Sequence, residues 1–442
     1  MLRFPRALHR HVIFPLALRV RGESAMYDVK DRLEELQWSE TEQVDQHQRD
    51  KLVDLLRHAA GNVSWYQNHG LSPDATSGEL MDAFREMPHL TKRHLQDHKE
   101  DLVAEGSFGR TMEKTTGGST GEPVTVRKNA RAVAHERAAS WLSYGWFGLA
   151  IGDRGVRFWG FPNRGQERLR HWLASLATNC VRLSAFDFSD EDLEEYWRRC
   201  LDEDPDYFYG YVSMLTEFAR YIDRNGYDGG RLGLKSVVTT AEVLATPERE
   251  LLRQTFGAAV QNEYGCGEVG PIAYECPHGT LHVMADNVYL EVLDDEGEPV
   301  EPGGTGDVVV TDLNNRAMPL IRYRVGDRAT LGNGCECGRG FPTLESVHGR
   351  EYDFVQDLAG NRYHGEYFLY ILEELIRRGA DIRKMRAVQP AEGSLVVRFE
   401  VGKELSRKER SLVRRQVESD MPGMNLRIEE VDDLTERDSG KR

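Results

Sequence analysis

Ser236-Val-Val-Thr-Thr240, Thr246-Pro-Glu-Arg-Glu-Leu-Leu-Arg-Gln-Thr-Phe256 and Ala259-Val-Gln-Asn-Glu-Tyr264 follow one another with only short joints between them. The first and third runs are rich in β-branched and apolar residues and too short for helices. The second opens on Thr-Pro, and proline suits a first helical turn because its missing N–H would find no partner there. Strand, helix and strand of these lengths form a βαβ unit, in which the helix returns the chain so that the strands run parallel.

The same alternation extends upstream. Val156–Phe161, Val181–Phe186 and Tyr207–Tyr211 read as strands, and 167–177, 191–201 and 214–224 as helices. Repeated βα units predict a mostly parallel sheet with helices on its faces. Nearer the start, 29–71 repeats its leucines at helical spacing, Thr91 is placed to cap a helix, and 130–148 reads as a helix rich in Ala and aromatics. Beyond Leu281 the helices stop. Residues 282–293, 306–311 and 320–325 are strand-like runs joined by Gly, Pro and Asp turns, which predicts a small antiparallel β region appended to the sheet. After Gly349-Arg350 a helix (366–378), strands (385–389, 395–401), a helix (404–421) and a strand (426–431) make an αββαβ module. The expected fold class is therefore α/β, with a large N-terminal domain over 1–349 and a small α+β C-terminal domain over 350–442.

Composition narrows the function. A formal net charge of −16 lacks the basic footprint of a nucleic-acid binder. Six cysteines in 442 residues do not form a disulfide scaffold and read as thiols or metal ligands of a cytoplasmic, reducing compartment. No run is long and apolar enough for an integral membrane segment. Residues 1–22 carry five arginines and no acid, interleaved with apolar side chains. This segment is expected to pack on the body as a leading helix, the other reading being an amphipathic seat on an anionic membrane. Oligomeric state has no motif, and the chain is compatible with a homodimer.

Thr115-Thr-Gly-Gly-Ser-Thr-Gly121 concentrates glycine and hydroxyl side chains in a loop that cannot enter a core. Read alone it is either a flexible linker or a cradle of backbone N–H groups for phosphate oxygens. It is not a Walker A loop, since Glu122-Pro123 stand where lysine and a hydroxyl are needed. Further clusters sit at strand ends, where α/β sheets collect ligands: Thr240-Ala241-Glu242, Glu263-Tyr264-Gly265-Cys266-Gly267-Glu268, Arg322-Tyr-Arg-Val-Gly-Asp327 and Gly349-Arg350, with Ser439-Gly440-Lys441 at the end.

In this order, these motifs resemble those of the adenylate-forming acyl-CoA synthetase superfamily. Leu56-Arg57-His58-Ala59, Ser64-Trp65-Tyr66 and Tyr209-Gly-Tyr-Val-Ser213 are similar to its phenylacetate–CoA ligase branch and the CapK-like and coenzyme F390 synthetase-like relatives. The resemblance spans essentially the whole chain. It implies ATP- and Mg²⁺-dependent, AMP-forming activation of a carboxylic acid, followed by transfer to coenzyme A or, alternatively, to an amine to form an amide. ATP binding then falls to Thr115, Thr116, Gly117, Gly118, Ser119, Thr120, Gly121, Ala241, Glu242, Glu263, Tyr264, Gly265 and Asp327. Within that set, Tyr264 is a flat face for adenine and Asp327 a two-oxygen acceptor for the ribose hydroxyls. Glu268 is implied as the Mg²⁺ ligand, Arg350 as a hinge residue reaching the nucleotide, and Lys441 as the cation bridging carboxylate and α-phosphate. Two departures stand out: Tyr352 occupies the usual acidic hinge position with Asp353 next, and Lys441 is penultimate.

Cys276, His282, Cys335 and Cys337 form a donor set suited to a closed, structural Zn²⁺ site, an arrangement also found in the CapK-like branch, with His278 the rival for the fourth position. The acid itself is not legible. Tyr144, Trp146, Phe147, Trp159, Tyr209 and Tyr211 are either walls for a flat acid or ordinary core aromatics.

Overall fold

The computed structural model describes residues 5–106, 108–117, 123–159, 175–184, 189–348, 355–358, 362–363, 365–431 and 434. The βαβ unit is as read: β6 (Ser236–Thr240), a helix over Thr246–Phe256 and β7 (Ala259–Cys266), with β6 and β7 paired in parallel. Upstream, β3 (Gly155–Trp159), β4 (Cys180–Ser184) and β5 (Tyr207–Tyr211) complete the parallel half in the order β4-β3-β5-β6-β7. Gly210 is required in β5, because a Cβ there would lie 2.7 Å from the Phe158 carbonyl oxygen.

The antiparallel strands are appended to this sheet directly. β7 pairs on its other edge with β8 (Gly270–Glu275), and the sheet continues through β9 (Leu281–Val283), β13 (Thr343–Val347), β12 (Tyr323–Leu331), β11 (Thr305–Asp312) and β10 (Val288–Leu293). One sheet thus changes from parallel to antiparallel pairing at β7. The expected strand over 320–325 starts only at Tyr323. Arg322 sits at φ 52° and sends its guanidinium to Glu291 (3.0 Å) and to the carbonyls of Arg85 (2.7 Å) and Met87 (3.1 Å). That side chain ties the 84–90 segment to the sheet, and satisfying it takes precedence over a longer strand.

Helices cover both faces. Asp190–Glu203, Val212–Arg224 and Thr246–Phe256 bury Val156, Phe158, Phe208 and Val237 on one side. Ala130–Gly145 packs its alanines and Trp141 against Tyr207, Tyr209 and Val238 on the other. The leading segment also lies on this second core through Phe14 and Leu18, while Leu8, Val12, Leu16 and Val20 stay exposed. Thr91 caps its helix in a capping box with His94. No helix among the described residues is long and apolar enough to cross a membrane.

Thr111–Gly117 (β1) and Pro123–Asn129 (β2) pair as an antiparallel hairpin, with Thr115, Thr116 and Gly117 of the glycine-rich run on β1. The C-terminal module is built as expected: helix Gly365–Arg377, strands Ile382–Ala391 and Ser394–Val401, helix Arg407–Asp420 and strand Asn425–Val431. Among the described residues its buried apolar core runs from Val355 to Met424, with Leu426 and Ile428 packed against it.

Candidate active site

The C-terminal ends of β6 and β7 gather the motif residues. β6 ends in Thr240, and the chain turns through Ala241 at φ 66°, a left-handed conformation that costs a residue with a Cβ about 1 kcal/mol or more. The turn aims the Glu242 carboxylate back at the helix Val212–Arg224, where it accepts from the Ser213 N–H (2.6 Å) and hydroxyl (2.8 Å). Glu242 therefore shapes the turn from behind.

Glu263, on β7, is held by hydroxyls. It accepts from Tyr209 (2.9 Å), Thr240 (3.1 Å) and Tyr144 (3.4 Å). Its neighbour Tyr264 donates its hydroxyl to an Asp327 carboxylate oxygen at 3.1 Å. This bond joins two motifs 63 residues apart and fixes the ring edge. Gly265 has no alternative, since a Cβ would meet the Gly270 carbonyl oxygen at 2.6 Å.

Glu268 is buried, at 7% exposure, in the turn between β7 and β8. Beside it, burial foremost and then the charges of Glu268 and Asp327 push the Cys266 thiol up to about 12. Lys128 acts on the same thiol in the opposite sense. Lys128 lies on β2 at 1% exposure, with its ammonium on the Val269 carbonyl (2.6 Å), Glu136, and Asp312 at 3.4 Å. It thereby fastens the base of the glycine-rich hairpin to the residue after Glu268. Lys128 was overlooked in the sequence, although Val124, Val126 and Lys128 alternate inward and a charge in that series is a signal.

Thr115 lies on β1, exposed, with its hydroxyl 3.0 Å from that of Thr125. Thr116 and Gly117 pair with Val124 and Pro123 through the backbone. Gly118, Ser119, Thr120, Gly121, Arg350, Tyr352, Asp353 and Lys441 lie outside the described residues, as does most of the helix expected over 167–177.

The four zinc-type donors do come together. Ligand atoms of Cys276, His282, Cys335 and Cys337 all lie within 4.8 Å of one another, and His278 is not in the group. Cys276 Sγ is 3.7 Å from Cys335 Sγ, and Cys337 Sγ is 3.3 Å from His282 Nε2. Burial, helped by the Arg339 charge, pushes His282 down to about 4, which leaves a neutral imidazole able to ligate. The donor set and spacing fit a tetrahedral ion. Trp146, one of the aromatic-wall candidates, belongs here instead: it meets His282 edge-on at 5.9 Å and stacks under Arg339 at 4.4 Å.

No protein-family model matches the chain. It is 26% identical over 357 residues to the phenylacetate-coenzyme A ligase of Pseudomonas putida, covering 75% of this chain and 76% of that one. To Protein CapK of Staphylococcus aureus it is 23% identical over 282 residues, 61% of this chain and 60% of the other. The solved structure of 2-hydroxyisobutyryl-CoA ligase in complex with 2-HIB-AMP and CoA matches its fold with a TM-score of 0.61 at 18% identity, over 92% of this chain and 90% of that one.

Proposed function

We propose that this relative of the phenylacetate–coenzyme A ligases and of CapK, built on the fold of the adenylate-forming ligases, converts an organic acid first to an acyl-adenylate and then to a coenzyme A thioester. The observation that carries the reading is the Tyr264–Asp327 bond joining two of the motifs, with buried Glu268 four residues beyond Tyr264 and Lys128 fastening the root of the glycine-rich hairpin to the Val269 carbonyl. In the first step a carboxylate oxygen of the acid attacks the α-phosphorus of ATP. The bond to the bridging oxygen breaks, and pyrophosphate leaves with the electron pair. In the second, the thiol sulfur attacks the acyl carbon, its proton is lost, and AMP departs. Activation is needed because a free carboxylate has no competent leaving group.

In this reading the Tyr264 ring and the Ala241 turn flank the adenine, and the Asp327 carboxylate takes the ribose hydroxyls. The 115–121 run cradles the β- and γ-phosphates through backbone N–H groups. Glu268 is the buried carboxylate placed to hold Mg²⁺, which when bound supplies the counter-charge this lysine-free loop lacks. Arg350 sits at the hinge of the 350–442 domain, whose rotation separates the two steps. Lys441 neutralises charge between acid and α-phosphate. The four-donor cluster holds structural zinc, and six cysteines outside any disulfide suit a cytoplasmic enzyme.

The test is acid-dependent exchange of labelled pyrophosphate into ATP across a panel of acids with Mg²⁺. Lys441→Ala is expected to suppress the exchange by about 10²-fold or more while sparing thioester formation from a supplied adenylate. Exchange absent for every acid, with the protein folded, would overturn the reading. Turnover to an amide with coenzyme A omitted would replace the thiol by an amine.

A further inference from the structure

We propose, resting on the adenylation reading above, that Arg157 binds the far end of the acid, and that the substrate is an aromatic acid carrying a second carboxylate remote from the one activated. Arg157 stands in the middle of β3. Its neighbours Val156 and Phe158 point into the core on the other face, at 1% and 0% exposure. By register Arg157 lies between Arg182 on β4 and Tyr209 on β5. Its guanidinium carbon is 4.2 Å above the Tyr209 ring centroid, and that stacking is its contact. Among the described residues no carboxylate or carbonyl accepts a hydrogen bond from it.

The fully buried arginines are supplied from within: Arg154 reaches Glu203 at 2.6 Å, and Arg322 has Glu291 and a set of carbonyls. Arg157 is half-buried, and its five donors form a fork matched to a carboxylate that the described residues do not supply.

The surroundings say what lies between. Trp159 stacks on Tyr211 at 4.6 Å and lies 5.7 Å from Tyr209, at interplanar angles of 21° and 30°. The hydroxyl of Tyr209 is on Glu263, the residue before Tyr264, so Arg157 is one side-chain row below the strand ends where the acid would be activated. A flat ring entering beside Ala241 would run along Trp159 and Tyr209 and bring a distal carboxylate onto the fork.

Three- and four-carboxyphenylacetate, compared with phenylacetate, are the probes. The wild-type chain is expected to favour one of the dicarboxylates by about tenfold or more in kcat/KM for adenylation. Arg157→Met, which keeps the stem and removes the charge, should erase that preference through KM and leave phenylacetate at its original rate or faster. Arg157→Lys should retain part of the preference, and it serves in place of the Met variant should that chain fail to fold. A wild-type preference for the neutral acid, or a ratio unchanged in the variant, overturns the proposal. If no acid is adenylated, the functional reading fails on its own, and the subsite is decided by thermal shift. A dicarboxylate that stabilises wild type and not Arg157→Met upholds it, and one that stabilises neither or both refutes it.

Discussion

The root of the β1–β2 hairpin holds a fully buried cation and the aromatic slot beneath β3 and β5 a half-buried one, and they treat it in opposite ways. Lys128 is enclosed by Glu136, Asp312 and a carbonyl, and although burial disfavours its charge, those anions outweigh it and raise its pKa. Arg157 has the face of Tyr209 and little else. A buried charge with its counter-charges already in the chain is a strut. A half-buried one without them is open to a partner from outside.

Each half of that contrast can be broken. Lys128→Met should be the most damaging change, costing about 3–5 kcal/mol in urea or thermal unfolding, because it strands two carboxylates. Arg157→Met should shift stability by less than about 1 kcal/mol, since it removes a charge nothing in the chain relies on. Equal losses would erase the distinction.

The thiol cluster sharpens the same contrast, as a cation site whose ligands are all supplied by the protein. Elemental analysis should find zinc near a one-to-one ratio. Stripping it, or Cys335→Ser, should cost about 2–3 kcal/mol in melting experiments without changing acid preference. The loop it holds, 335–341, sits on the N-terminal helices, where Arg339 lies 4.9 Å from the Trp38 ring.

A smaller effect comes from the third enclosed cation. Lys51 lies 2.8 Å from Asp286, which also accepts from His47 (2.8 Å) and His135 (2.6 Å). Burial lowers the pKa of His135, so the unfolded chain takes up that proton at higher pH than the folded one. Its stabilising contribution is complete above about pH 6.5 and is lost as pH falls below that. Unfolding midpoints should decline between pH 7 and 5, and His135→Gln should flatten that slope. An unchanged slope would show that His135 is not the group responsible.

Sequence alone fixed what is local. The alternation at 236–264 gave β6, its helix and β7, because strand period, proline at a first turn and β-branched runs are properties of neighbouring residues. The ordered motifs likewise led to the relatives. What it could not give was pairing across distance. That β7 serves both halves of one sheet, that Arg322 prefers Glu291 and distant carbonyls to a longer strand, and that Tyr264 meets Asp327 all depend on which segments come to lie side by side. The same limit hid the two cations. Lys128 and Arg157 look alike as single charges in strand-like runs, and only the packed chain shows that one is surrounded by anions and the other is not, because burial and counter-charge are set by residues far away in sequence.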